Sequence, residues 1–172
     1  IVMNFAGRIL SDRLQLPLWL DSFGTVTAAY VLGPFCAAMV GMTVNLTYGI
    51  LYSWTNMFYA VVSAMVGITT GICVKKGFLK NLYGVLSTSF LIAVLSVTLS
   101  VPLNYLYCDG STQNIWGDGV IESMEKAGFD SFFSHCMGQF YLDFLDKVIT
   151  IVLVFSLIKL LQKKIVSNRQ HT

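Results

Sequence analysis

Residues 22–74 read SFGTVTAAYVLGPFCAAMVGMTVNLTYGILYSWTNMFYAVVSAMVGITTGICV and contain no charged side chain. A second uncharged stretch, residues 81–108, follows a short turn that holds Lys75, Lys76 and Lys80. A charge at the centre of a bilayer is costly unless it is paired or hydrated. Uncharged apolar stretches of this length therefore predict helices that cross a membrane.

The composition supports this interpretation. The chain has 172 residues, of which 55% are hydrophobic and 12% charged, and its mean hydropathy is +0.69. An average soluble domain carries about 25% charged residues. The net charge of +2 and the absence of a basic stripe predict that nucleic acid is not a partner. We expect a single domain, residues 1–172, embedded in the lipid bilayer.

Breaks in the apolar pattern divide the chain into helices. The predicted fold is an all-α integral membrane bundle of six transmembrane helices, at about 1–15, 23–32, 35–51, 57–74, 82–107 and 138–161. Residues 108–137 are polar and predict an outer loop with an amphipathic segment. Because a crossing needs about 20 residues, the stretch 1–15 predicts part of a first helix whose N-terminal portion is missing.

Basic residues set the predicted orientation, because cytoplasmic loops are enriched in lysine and arginine. The turn after residue 74 has three lysines, and the end of the chain has Lys159, Lys163, Lys164 and Arg169. Both groups predict a cytoplasmic position, which places both termini in the cytoplasm. The loops at 16–22, 52–56 and 108–138 then share the outer side of a multi-pass protein of the cell membrane.

Small residues recur at helical spacing along two of the predicted helices. One series, at intervals of four, consists of Gly33, Ala37, Gly41, Asn45 and Gly49. The next helix repeats the pattern with Ser63, Gly67 and Gly71. Faces without large side chains let helix backbones approach closely in membranes. The sequence therefore predicts tight helix packing here.

The last predicted helix carries polar residues on one face: Gln139, Asp143, Asp146, Lys147 and Thr150. At 1.5 Å per residue Lys147 lies roughly 12 Å below Gln139, which places it out of bulk water and predicts that it points inward. Ionisable groups in a membrane usually serve function, so we expect a ligand site. A purely structural pair between one aspartate and Lys147 is the alternative.

Six further residues are candidate ligand contacts: Asp21, Trp19, Trp54, Tyr59, Asn45 and Asn104. Each also has a structural explanation. The aspartate is equally compatible with a helix N-cap, and the aromatic residues with anchors at the water–lipid boundary. The two amides are suited to hydrogen bonds between helices.

Cysteine and histidine give little indication of chemistry. Cys36 and Cys73 lie in apolar helices and predict core positions. Cys108 and Cys136 share the outer segment, and the sequence leaves open whether they form a disulfide. Cys108, Cys136 and His135 are not spaced like the ligands of a known zinc site, so no metal is expected. No cofactor is expected either. No nucleophile–base pair is evident, so an intramembrane enzyme is the least favoured class.

Three segments resemble a known family. They are LPLWLDSFGT at 16–25, LGPFCAAMVGMTVNLTYGI at 32–50 and FYLDFLDKVITIVLVFSLIKLL at 140–161. Their order and spacing resemble the substrate-binding S components of energy-coupling factor (ECF) vitamin transporters, in which the region of Asn104 helps to line the ligand pocket. The resemblance implies a bacterial six-helix protein that captures a vitamin-like compound outside the cell.

The resemblance also implies partners. An S component joins a transmembrane T component and two ATP-binding-cassette ATPases, and the sequence lacks the phosphate-binding loop of an ATPase. Ala6, Gly7 and Ser11 form a candidate small-residue surface for the T component. A ligand-sensing module of a signalling protein is the alternative function. The expected ligand is a small polar or zwitterionic ring compound.

Overall fold

The computed structural model describes the backbone of residues 1–169 and the side chains of residues 1–160. This part of the chain is all-helical, which confirms the predicted class. Its α-helices are α1 (Val2–Leu14), α2 (Phe23–Val31), α3 (Pro34–Leu51), α4 (Ala60–Lys75), α5 (Leu82–Tyr107), α6 (Ile115–Lys126) and α7 (Ser131–Arg169). Short 3-10 helices occupy Trp54–Met57 and Phe78–Lys80. The side chains of Lys163, Lys164 and Arg169 lie outside the described residues.

Three helices among the described residues are long and apolar enough to cross a membrane. They are Pro34–Leu51, Trp54–Lys75 and Leu82–Tyr107. Large apolar side chains on these helices are exposed, including Phe35, Val61 and Phe90. An apolar exterior is what a lipid environment requires. The structure therefore supports a membrane protein.

The other helices do not meet this criterion. α1 has 13 residues and α2 has nine, and at 1.5 Å per residue the latter spans only roughly 14 Å of a hydrocarbon layer about 30 Å thick. α7 is long but carries Asp143, Asp146 and Lys147. Six complete crossings thus remain a prediction.

The outer segment is more helical than predicted. α7 begins at Ser131, seven residues before the predicted start at residue 138. Asp130 accepts a hydrogen bond at 3.1 Å from the backbone N–H of Phe133, which satisfies a free donor at the start of the helix. α4 in turn begins at Ala60 instead of residue 57, because Trp54–Met57 form a 3-10 turn.

α6 lies against the first part of α7. A Cβ atom on Gly138 would stand 2.8 Å from the carbonyl oxygen of Gly117, so the two helices are in close contact here. On the exposed side Lys126 donates to Glu122 at 2.5 Å, and this hydrogen bond lowers the pKa of the Glu122 carboxyl. The amphipathic segment predicted near residue 120 is thus a helix with one covered face.

The small-residue faces bring α3 and α4 together. A Cβ on Gly67 would lie 2.6 Å from the carbonyl carbon of Ala37, and one on Gly41 would lie 2.8 Å from the carbonyl oxygen of Ser63. Side chains at either glycine would force the backbones apart. The predicted tight packing is therefore found between these two helices.

One end of the bundle gathers three chain segments, 15–22, 52–59 and 108–114, and we call it the loop end. The Asn114 side chain donates to the Leu16 carbonyl at 3.1 Å, and the Trp116 indole donates to the Gln15 carbonyl at 2.7 Å. The Arg8 guanidinium reaches Asn56 at 3.2 Å. The loops predicted to share the outer side thus lie together. The lysine turn at 75–80 follows the opposite end of α4.

The small residues of α1 face the chain itself. Ser11 is buried and donates a hydrogen bond to the Leu18 carbonyl, and a Cβ on Gly7 would overlap the Leu20 carbonyl oxygen. Ala6 is exposed. After Pro17 the loop folds back onto α1, and the small side chains permit this contact. Of the candidate partner surface, only Ala6 is left open.

Candidate ligand-binding site

A polar cavity lies inside the bundle near the loop end. It encloses about 80 Å³, and about 640 Å³ when its opening to solvent is counted. The enclosed part is smaller than the roughly 300–1,000 Å³ of ordinary small-molecule sites. Loop residues and residues of α1, α3, α4, α5 and α7 line it: Arg8, Trp19, Asp21, Ser22, Asn45, Asn56, Tyr59, Val62, Ser63, Val66, Ser96, Ser100, Asn104, Thr112, Gln113, Gln139, Asp143 and Lys147.

Four of these side chains form a continuous hydrogen-bonded series. The Tyr59 hydroxyl donates to the side-chain oxygen Oδ1 of Asn104, and the Asn104 side-chain amide donates to Gln139 Oε1 at 3.0 Å. The Gln139 amide then donates to Asp143 Oδ2 at 2.9 Å. Each amide uses both a donor and an acceptor, so the series fixes the orientation of every member. It therefore holds Asp143 in a defined position.

Lys147 and Asp146 connect α7 to the loop before α2. The Lys147 ammonium contacts the Asp146 carboxylate and donates to Ser22 Oγ at 2.8 Å. Asp146 Oδ1 accepts from the backbone N–H groups of Leu20 at 2.7 Å and Trp19 at 3.2 Å. Both side chains are buried. An ammonium has three N–H donors, so Lys147 has one donor beyond these two contacts.

Arg8 closes one side of the cavity. Its guanidinium Nη1 lies 4.0 Å from Asp21 Oδ2, and its central carbon lies 4.6 Å from the Tyr48 ring centroid. Asp21 also accepts from the Ser22 hydroxyl at 2.9 Å. The cation is therefore surrounded by a carboxylate, an aromatic ring and the Asn56 amide.

Asp21 does not have the predicted capping role. Ser22 is the N-cap residue of α2, and neither residue makes a side-chain cap bond. Asn4 of α1 caps the start of α2 instead. Its Oδ1 accepts a hydrogen bond from the Gly24 N–H, and its side-chain amide donates to Thr25 Oγ1 at 2.9 Å. Asp21 is left to face the cavity and Arg8.

Two polar groups lie deeper in the cavity. The Asn45 amide donates to Ser63 Oγ at 2.5 Å, which joins α3 to α4. The Ser96 side chain on α5 is 1% exposed, and its hydroxyl has no hydrogen-bond partner among the described residues. An unpaired buried hydroxyl is costly. A bound molecule that bonded to it would remove this cost.

The structure brings together eight of the ten predicted ligand residues as cavity lining: Trp19, Asp21, Asn45, Tyr59, Asn104, Gln139, Asp143 and Lys147. Asp146 lies outside the lining and contacts Lys147 and the loop backbone. Trp54 is 60% exposed and packs edge-on against Phe58 and Tyr107, with ring centroids 5.6 and 5.7 Å away. Trp54 thus belongs to the surface.

Sequence reasoning missed several polar lining residues: Arg8, Ser22, Asn56, Ser63, Ser96, Ser100, Thr112 and Gln113. Two of these residues could have been predicted from their spacing. Ser96 and Ser100 stand eight and four residues before Asn104, so all three share one face of the helix. For the loop residues Thr112 and Gln113 there was none, since loop conformation follows from tertiary contacts.

The cysteines are free thiols. The structure shows no disulfide between Cys108 and Cys136, and Cys36 and Cys73 are also unbridged. Cys73 is buried as predicted, whereas Cys36 is exposed, so its predicted core position is wrong. The Cys108 sulfur lies 3.7 Å from the Tyr59 hydroxyl. Among the described residues there is no group of His, Cys, Asp and Glu side chains arranged to hold a metal ion.

Comparisons with protein-family models, with curated proteins and with solved structures find no match to this chain. The functional argument therefore depends on the residues and the geometry of the cavity.

Proposed function

We propose that this protein captures a small, polar, vitamin-like compound in the cavity at its loop end. The observation that carries the proposal is a cavity lined by two cations, two carboxylates and several amides inside a bundle with an apolar exterior. Enclosed sites with a few convergent polar groups are typical of small-molecule binding. Ionisable residues in a membrane protein also favour function over packing alone.

The hydrogen-bonding pattern favours a ligand over a purely structural role. A structural pair needs only Lys147 and Asp146, which are in contact and buried. The cavity also contains the unpartnered Ser96 hydroxyl, and Asp143 accepts a single hydrogen bond. These groups give a ligand both donors and acceptors, while Trp19 and Tyr59 offer faces for a flat ring.

We further propose that the chain acts as the S subunit of an ECF-type importer in a bacterial cytoplasmic membrane. The proposed partners are a T component and two ABC ATPases, which would supply the energy. Support comes from the resemblance of segments 16–25, 32–50 and 140–161. The lysine turn favours a cytoplasmic position, so the loop end would face outward and both termini inward.

A cavity-filling variant tests ligand capture. Ser96→Leu places a larger side chain in the cavity and removes no charge and no hydrogen bond of the described residues. We expect detergent-purified wild-type protein to release a small molecule on denaturation, and Ser96→Leu to release at least about tenfold less, equal to a loss of about 1.4 kcal/mol in binding. Mass spectrometry of the released compounds provides the measurement.

Thr98→Leu is the matched control, because Thr98 is exposed on the same helix. This variant should release the same compound in the wild-type amount. Equal release from wild type and Ser96→Leu would show that the compound does not occupy this cavity. Release of nothing above a mock purification from any of the three would contradict tight capture.

A further inference from the structure

The charges around the cavity do not balance. Four ionisable side chains line it, namely Arg8, Lys147, Asp21 and Asp143, and a fifth, Asp146, contacts Lys147 from outside the lining. Two are cations and three are carboxylates, so the site has one excess negative charge when all are ionised. Buried charge without a counter-charge is strongly disfavoured. Either a proton held by one of the carboxylates or a cation from outside the chain would balance the site.

The excess is localised on Asp143. Lys147 contacts Asp146, and Arg8 lies 4.0 Å from Asp21. Among the described side chains, Asp143 has no cation within 4.0 Å. Its one hydrogen bond comes from a neutral amide, at Oδ2. Asp143 thus presents its second oxygen to the cavity, and its ionised form has no counter-charge within 4.0 Å among the described side chains.

A second observation indicates an absent ligand. The Ser96 hydroxyl is almost completely buried and has no partner among the described residues, and of the six buried hydroxyls in this state it is the one that lines the cavity. It can accept a hydrogen bond from a ligand N–H and donate to a ligand oxygen or ring nitrogen. Trp19 and Tyr59 line the same cavity, and an aromatic ring whose face is turned towards a cation attracts it.

We infer that the ligand of this cavity is a small ring compound with one positive charge, carried on an N–H-bearing group that contacts Asp143. The inference depends on the proposed function, since it specifies the ligand class of the same cavity. A cationic ligand pairs with ionised Asp143, whereas a neutral ligand requires Asp143 to keep a proton. An anionic ligand adds a further negative charge beside Asp21 and Asp143 and is expected to bind more weakly than a cation.

Three compounds with the same ring and different charge test the inference: benzamidinium, benzamide and benzoate. Their binding to the detergent-purified protein is measured through the shift in thermal unfolding at millimolar concentrations. We expect benzamidinium to bind at least about tenfold more tightly than benzamide, and benzoate to bind most weakly. Preference for benzamide or benzoate, or equal binding of all three, would overturn the inference.

Asp143→Asn tests whether Asp143 is the residue that selects charge. Asparagine keeps an oxygen that can accept from Gln139, so the hydrogen-bonded series can remain. In this variant benzamidinium and benzamide should bind about equally. The matched control is Asp109→Asn, which makes the same charge change at an exposed residue with φ of 50°, a conformation that asparagine tolerates. It should keep the wild-type preference.

The outcomes separate this inference from the proposed function. If Asp143→Asn keeps the full preference for benzamidinium, another group selects charge and the inference is wrong. If the variant fails to fold, the wild-type order of the three compounds still decides. If none of the three binds, the inference fails, while release of a compound that Ser96→Leu loses would leave the proposed function standing.

Discussion

Asp146→Ala is expected to lower the free energy of unfolding by about 3–5 kcal/mol, the usual effect of breaking a buried ion pair from one side. Asp146 is fully buried and contacts the Lys147 ammonium. It also accepts the backbone N–H groups of Trp19 and Leu20. Removal of the Asp146 carboxylate leaves the buried Lys147 ammonium with Ser22 as its remaining partner. It also removes the two hydrogen bonds that attach the loop before α2 to α7. Denaturant unfolding in detergent measures the loss.

A double-mutant cycle separates the ion pair from the loop contacts. Asp146→Asn keeps an acceptor for the loop and removes the charge, and Lys147→Met removes the cation. We expect each single variant to be destabilised and the double variant to recover most of the loss, because no buried charge is left unpaired. If the two single losses simply add, Asp146 and Lys147 do not stabilise each other and the described pairing is wrong.

Asn104→Leu is expected to have the second largest effect. Asn104 is buried, accepts from the Tyr59 hydroxyl and donates to Gln139. Leucine leaves two polar groups without partners, at about 1–3 kcal/mol each. Because Gln139 orients Asp143, the variant should also release less compound than wild type on denaturation. Denaturant unfolding and mass spectrometry measure the two losses.

Two smaller changes at the same contacts serve as controls. Tyr59→Phe removes one hydrogen bond and should cost less than Asn104→Leu. Asn104→Asp keeps the acceptor for Tyr59 but places a second carboxylate beside Gln139 and close to Asp143, so it should be less stable than Tyr59→Phe. Equal stability of Asn104→Leu and wild type would contradict the hydrogen-bonded series.

Much of the architecture could be predicted because the bilayer constrains sequence strongly. The uncharged stretches 22–74 and 81–108 contain α3, α5 and all of α4 except its last residue, Lys75, and the three spans apolar enough to cross a membrane include these helices. The polar face of the last helix could be read from spacing alone. Gln139, Asp143 and Lys147 stand one turn apart and do line the same cavity.

What could not be predicted depends on contacts between distant segments. Arg8 lines the cavity because the loop after α1 folds back onto that helix. Nothing in the sequence of α1 predicts this loop conformation. Asp21 stands where a cap is expected, yet Asn4, 20 residues away from Gly24, satisfies the start of α2. Asp146 and Lys147 are neighbours in sequence, and only the packing of α7 assigns one to the loop and the other to the cavity.

The most direct measurement of the central claim is an experimental structure of the wild-type protein bound to the compound that it releases on denaturation. The account predicts density for that compound in the cavity, in contact with Asp143 and within hydrogen-bond distance of Ser96 or Lys147. Density for the compound elsewhere on the protein, with this cavity closed by its own side chains, would contradict the account.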